Sequence, residues 1–164
     1  MNAPAAIVED PVAFADALPP TGALVGLDLG TKTIGVAVSD GLRTVATPLE
    51  TLRRRKFRDD AARLLEIAAG RSAVGFVLGL PVNMDGSEGP RAQSTRAFAR
   101  NLSRLTSLPI ALWDERLSTV AAERALLEAD TSRKRRAEVI DSVAAAYILQ
   151  GMLDRLRHIG RERA

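Results

Sequence analysis

The stretch Ala23-Leu24-Val25-Gly26-Leu27-Asp28-Leu29-Gly30-Thr31-Lys32-Thr33-Ile34-Gly35-Val36-Ala37-Val38-Ser39-Asp40-Gly41 decides the fold. Ala23–Leu29 is an apolar run of strand length, Gly30–Lys32 supplies a turn, and Thr33–Ser39 is a second apolar run. Asp40-Gly41 is a hairpin signal, because both residues tolerate the positive φ of a tight turn. A third run over about Thr44–Thr51 follows. Three strands joined by such short connections make an antiparallel meander.

Downstream the pattern changes to alternating helix and strand. Phe57, Ala61, Leu64, Leu65 and Ala68 recur at helical spacing, with Asp59 and Asp60 in the first turn and Gly70 as a stop. Val74–Leu78 is a continuous apolar run, as expected of a strand covered on both faces. Gly79–Pro90 is a long Gly/Pro loop. The helix after it sets Phe98, Leu102 and Leu105 on one side and Arg96, Arg100 and Arg104 nearly opposite, on what reads as an exposed face. Ile110–Trp113 reads as a short strand, Thr119–Glu128 as a helix, and Ala137–His158 as a final helix burying Ile140, Val143, Ala144, Tyr147 and Ile148.

Upstream, residues 1–22 are rich in Ala and Pro and are expected to form a mobile extension, although Val12–Leu18 suits a short docked helix. One domain over 23–158 and a tail over 159–164 complete the expected organisation. A meander followed by this alternation differs from the uniform βαβ order of a dinucleotide-binding fold. It predicts an α/β, ribonuclease H-like mixed five-stranded sheet, a three-stranded antiparallel meander and then parallel strands, with helices on both faces.

Composition narrows the chemistry. The chain has 164 residues, close to one domain at roughly 150 residues each, and at 46% hydrophobic and 26% charged it is globular in character. With no cysteine, disulfides, thiolate zinc sites, iron–sulfur clusters and thiol nucleophiles are excluded together. His158 is the only histidine and sits where a helix C-terminus is expected, so it reads as a surface residue. Catalysis is left to carboxylates, hydroxyls, Lys or Arg. The net charge is only +3, but Arg53, Arg54, Arg55 and Lys56 form one basic run and Arg133, Lys134, Arg135 and Arg136 another. The first 22 residues carry no basic residue and no apolar run reaches the roughly 18 residues of a membrane span, so a cytoplasmic protein with no membrane partner is expected.

Three carboxylates lack an evident structural partner. Asp28 sits near the end of an apolar strand, where an ionised carboxylate costs several kcal/mol unless compensated; its plainer role is to accept N–H bonds from the Gly30–Thr31 turn. Glu115 follows the last strand, at the sheet end where active groups of α/β proteins gather. Its plainer role is a surface pair with Arg116, and periodicity leaves open whether Asp114 or Glu115 points inward. Asp141 has Ala137, Glu138, Ala144 and Ala145 at helical spacing, so no cation flanks it and it borders the apolar face. Three acids on separate segments suit Mg²⁺ or Mn²⁺, hard ions that take carboxylate oxygens and keep positions open for a substrate phosphate. Two such ions can activate a water and stabilise a leaving oxygen without any histidine.

These segments resemble the YqgF/RuvX family, described as Holliday junction resolvases and as pre-16S rRNA nucleases. The motifs that match are Gly26-Leu27-Asp28-Leu29-Gly30 with Ile34–Asp40, Gly79-Leu80-Pro81-Val82-Asn83-Met84-Asp85-Gly86, Asp114-Glu115-Arg116-Leu117-Ser118-Thr119, and Ile140-Asp141-Ser142-Val143-Ala144-Ala145. The resemblance covers roughly Leu24–Leu156. It implies a ribonuclease H-like fold, Asp28, Glu115 and Asp141 as catalytic and metal-binding acids, and a cytoplasmic hydrolase acting on ester bonds in 5′-end maturation of small-subunit ribosomal RNA. Where many relatives carry Arg in the first turn, this chain has Lys32 and Thr33, which leaves a cation in place.

Substrate contacts are expected from Lys32, from Asn83 and the N–H groups of its loop, from Ser118 and Thr119 (which also suit a helix cap), and from Arg133, Lys134, Arg135 and Arg136. At 4% aromatic residues, recognition is expected to rest on phosphate and shape rather than base stacking. The expected partner is structured RNA, with branched DNA as the alternative and a homodimer left open. An actin- or hexokinase-type phosphotransferase would need two such domains, and a non-catalytic RNA-binding module would have no use for the three acids.

Overall fold

The computed structural model describes residues 5–117 and 133–164, with side chains over 5–117 and 140–164. The strands are β1 (Ile7–Val8), β2 (Ala23–Leu29), β3 (Thr33–Ser39), β4 (Ala46–Arg53), β5 (Ala73–Leu80) and β6 (Ile110–Asp114). The helices are α1 (Pro11–Ala17), α2 (Phe57–Gly70), α3 (Pro90–Ser103) and α4 (Arg133–Arg163), and a single 3₁₀ turn covers Glu115–Leu117. One sheet has the order β1-β6-β5-β2-β3-β4. The β2–β3–β4 meander is antiparallel, with a register shift in the β3–β4 pair between Val36 and Ala37, while β5 and β6 run parallel to β2. The mixed α/β sheet matches expectation, with one strand more than the five expected.

Strand alternation divides the core into two layers. Val25, Leu27 and Leu29 of β2 join Val36, Phe76, Leu78 and Leu112 in packing against Leu64 of α2 and Phe98 and Leu102 of α3. Leu24 of β2 joins Ala37, Val77 and Trp113 on the opposite face, against Ala145, Ile148, Leu149 and Met152 of α4. The long helix, with α1 beside it, therefore covers one face, and α2 with α3 covers the other. By the same alternation Asp28 shares the α4 face with Leu24.

The expected extension is largely built into the fold. Ile7 and Val8 pair in parallel with Ile110 and Ala111, making the sixth strand. Asp10 caps α1 by accepting the Val12 N–H at 3.0 Å, with Pro11 at the first helical position. Phe14 is fully buried in the α4-side core, which stabilises the docked segment by about 1.5–3 kcal/mol. The short docked helix expected at Val12–Leu18 is α1, whereas the two-residue strand β1 was hidden by the Ala/Pro composition. At the other end α4 continues to Arg163 with Ile159 buried, so residues 159–163 are helix rather than tail.

Smaller departures have local causes. The β3–β4 connection is longer than a two-residue hairpin. Arg43, not Gly41, has the positive φ of 57°, and the Asp40 carboxylate accepts the Thr44 and Val45 N–H groups at 2.8 and 2.9 Å. α3 ends at Ser103, which leaves Leu105 exposed instead of on the buried face. Ile140, Val143 and Tyr147 are only half-buried; the buried stripe runs through Ala145, Leu149 and Met152. The helix expected over 119–128 lies outside the described residues.

Candidate active site

The C-terminal ends of β2, β5 and β6 lie side by side near the turn of α4 that carries Asp141. Asp28 is 3% exposed and pairs with Gly35 of β3 in the antiparallel register. One step beyond the Leu27–Leu78 pair, its neighbour on β5 is Gly79. Both glycines are required by close approach. A Cβ on Gly35 would run into the main-chain carbonyl of Asp141, and one on Gly79 would strike Ile148 and lie 2.7 Å from Glu115 Oε1. Asp28 thus stands between two positions without side chains, with α4 over one and the Glu115 carboxylate over the other.

The choice between the two adjacent acids is made by the end of β6. Trp113 pairs with Gly79 and packs on the α4 face, so Asp114 turns to the other side and Glu115 returns to the α4 face. Asp114 Oδ1 accepts the Arg116 N–H at 2.9 Å, and its Oδ2 lies 2.8 Å from Arg116 Nη2. The surface pair with Arg116 therefore belongs to Asp114, whose carboxyl is held below the usual aspartate range chiefly by the Arg116 hydrogen bond. The 3₁₀ turn that begins at Glu115 carries that side chain toward β5.

Asp141 lies four residues before Ala145 and eight before Leu149, extending the buried stripe of α4 to the sheet end. Thr33 Oγ1 donates a hydrogen bond to Asp141 Oδ2. Thr33 is a residue that helical spacing could not reveal, since it comes from the first residue of β3. The structure thus brings Asp28, Glu115 and Asp141 to one face at one sheet end. Among the described residues, no group of three carboxylates is close enough to enclose a metal ion by itself. The donor chemistry still fits a hard divalent cation, which binds through one or two carboxylates and retains water and phosphate positions.

The supporting residues divide. Lys32 is exposed in the β2–β3 turn, whose shape is held by Gly30 N–H to Thr33 O at 2.9 Å. Asn83 is exposed in a loop closed by its Nδ2 donating to Ser87 Oγ at 3.0 Å and by Gly86 N–H to Asn83 O at 2.9 Å. Arg133, Lys134, Arg135 and Arg136 open α4, ahead of Asp141. Ser118 and Thr119 lie outside the described residues. His158 is on the surface, 3.0 Å from Glu162. Arg96 departs from the exposed-face reading: it is half-buried and bonds Glu88 and Glu9.

This strand order, with carboxylates gathered at one sheet end, is that of the ribonuclease H-like fold. The RuvC of T. thermophilus, solved in complex with a Holliday junction substrate, shares the fold with a TM-score of 0.54 at 13% identity, over 83% of this chain and 96% of that one. A second Thermus thermophilus RuvC structure gives 0.51 at 15% identity, over 82% and 96%. The RuvX family model, described as Holliday junction resolvase, matches residues 22–155, and the chain belongs to that family. A Paracoccus denitrificans (strain Pd 1222) protein named "Putative pre-16S rRNA nuclease" is 76% identical over 155 residues, covering 94% of this chain and 98% of its own. A Ruegeria sp. (strain TM1040) protein of the same name is 78% identical over 146 residues, covering 89% and 93%.

Proposed function

We propose that this protein is a divalent-metal-dependent nuclease that trims the 5′ end of pre-16S ribosomal RNA in the cytoplasm. The observation that supports the reading is that Asp28, the Glu115 carboxylate over Gly79 and the Asp141 turn over Gly35 lie on one side of one sheet end, from three elements far apart in the chain. Asp28, Glu115 and Asp141 would hold Mg²⁺ or Mn²⁺, which would supply an activated water and stabilisation of the leaving oxygen. The chain's own groups set the stage. Asp28 offers its carboxylate from a floor closed to solvent, Thr33 orients Asp141, and Arg116 engages Asp114 beside Glu115. Lys32, Asn83, Ser118, Thr119 and Arg133–Arg136 are assigned to the nucleic-acid backbone. Ribosomal RNA as substrate is supported by the names of the relatives with high identity.

Branched DNA is the second reading, supported by the description of the family and by the junction-bound RuvC of the same fold. Both are decided by incubating the protein with labelled pre-16S RNA and with a four-way DNA junction in Mg²⁺ or Mn²⁺. Cleavage of the RNA is expected, abolished by EDTA and reduced at least ~100-fold by Asp28→Asn, Glu115→Gln or Asp141→Asn in folded protein. Junction cleavage with intact RNA would transfer the assignment to DNA. Undiminished hydrolysis in EDTA would overturn the metal mechanism.

A further inference from the structure

We propose that Arg54, Arg91, Thr31 and Ser94 form a second phosphate-binding subsite, which holds a phosphate of the substrate strand on the opposite side of the β2–β3 turn from the carboxylates. The proposal rests on the nucleic-acid reading above and adds a place where the strand is gripped away from the reacting centre.

A cavity of about 240 Å³ lies beyond the end of β2, lined by Thr31, Arg54, Arg91 and Ser94 around Leu29 and Gly30. It is smaller than the roughly 300 Å³ at which sites for drug-sized ligands begin. Leu29 belongs to the α2–α3 side of the sheet and Asp28 to the α4 side, so the turn separates the cavity from the acids. Both guanidiniums face consecutive main-chain carbonyls, Arg54 closely and Arg91 loosely. Arg54 Nη1 donates to Gly30 O at 2.7 Å, and Arg91 Nη2 to Leu29 O at 3.4 Å. Arg54 is half-buried, and its guanidinium lies 5.8 Å from the centroid of the Phe98 ring.

Charge sets this pair apart. Arg63, Arg96 and Arg116 each pair with a carboxylate at 2.8 Å or less. Among the described residues, no carboxylate lies within ion-pair distance of Arg54 or Arg91. Two cations therefore share one small cavity with no described carboxylate beside them. A guanidinium has five N–H donors in a planar fork, and each of these spends one on a carbonyl. The remaining donors, with the hydroxyls of Thr31 and Ser94, match the oxygens of a phosphate. A nucleobase fits less well, since the ring available for stacking, Phe98, is buried beneath Arg54. A strand with one phosphate at the carboxylates and another in this cavity crosses the turn at Lys32.

The phosphate could be an internal linkage or a terminal 5′-phosphate, and the test separates these. Binding of a labelled single-stranded RNA to the full chain is measured across a salt series in EDTA, with 5′-hydroxyl and 5′-phosphate forms. Arg91→Gln and Arg54→Gln are each expected to weaken binding and to reduce the log–log salt slope by about 0.7, the value for one neutralised phosphate. Because both address one phosphate, the double variant should lose no further slope. Arg100→Gln, exposed near the end of α3, should leave the slope unchanged. Losses with both RNAs identify an internal linkage, and losses with the 5′-phosphate form alone identify the terminus. Arg91 is exposed, so its variant remains informative if Arg54→Gln lowers the melting temperature. Wild-type affinity and slope in Arg91→Gln and in folded Arg54→Gln would overturn the subsite, as would a wild-type chain that binds no RNA. Failure of wild-type protein to cleave any substrate, with these binding losses intact, would overturn the nuclease reading and leave the subsite standing.

Discussion

Substituting the two neighbouring acids separately distinguishes their roles. Glu115→Gln should abolish cleavage, whereas Asp114→Asn should change it only a few-fold and act on stability instead. The Asp114 carboxyl is held low by Arg116, so its contribution is complete above the ordinary aspartate value of about 3.9 and is lost as pH falls through the lowered one. Thermal melts of the two proteins should converge at acid pH and separate toward neutrality. The sequence singled out Asp28 by its place in an apolar strand and Asp141 by its place on a helix edge without a flanking cation, and the structure puts both on the α4 side of the sheet. The Asp114–Glu115 choice was not readable in this way, because β6 is covered on both faces and its apolar pattern has no phase. Thr33 was hidden for another reason, since its bond to Asp141 spans 108 residues.

At the level of elements, α4 is placed by the missing side chain at Gly35. Gly35→Ala should push the Asp141 turn away from β3, with an overpacking cost of about 1–3 kcal/mol. The accompanying loss of Mn²⁺-induced stabilisation, read from melts with and without the ion, distinguishes displacement of Asp141 from plain destabilisation. The start of the same helix carries Arg133, Lys134, Arg135 and Arg136. Replacing two of them with Gln should change the salt slope of RNA binding by about 0.7–0.9 for each phosphate no longer neutralised, and an unchanged slope would return the run to solvated surface. β2, β3, β5 and β6 were visible as apolar runs, which two-sided burial requires. β1 was not, since Ile7–Val8 is a strand only by virtue of its partner Ile110–Ala111.

For the molecule as a whole, Arg96 of α3 ties its own helix and the loop before it to the segment after β1, bonding Glu88 at 2.6 Å and Glu9 at 2.8 Å. The Arg96 hydrogen bond holds the Glu88 carboxyl below its usual range. That linkage is intact above about pH 4.3 and is lost as pH falls through the lowered value. Arg96→Gln should therefore speed hydrogen exchange at the Ile110 amide, which donates to Ala6 O at 2.9 Å, and remove the acid dependence that the wild type shows there. What this fastening protects is the border of the sheet. The far border, β4, contains Pro48, which has no N–H to offer, and Glu50 is held by Arg63 of α2 at 2.6 Å. β6 has no such defence of its own; two residues of β1 stand between its ladder groups and solvent. A proteolytic cut before Pro11 would leave an apolar strand open along one side from Ile110 and Ala111 onward, a template on which other copies can stack and precipitate.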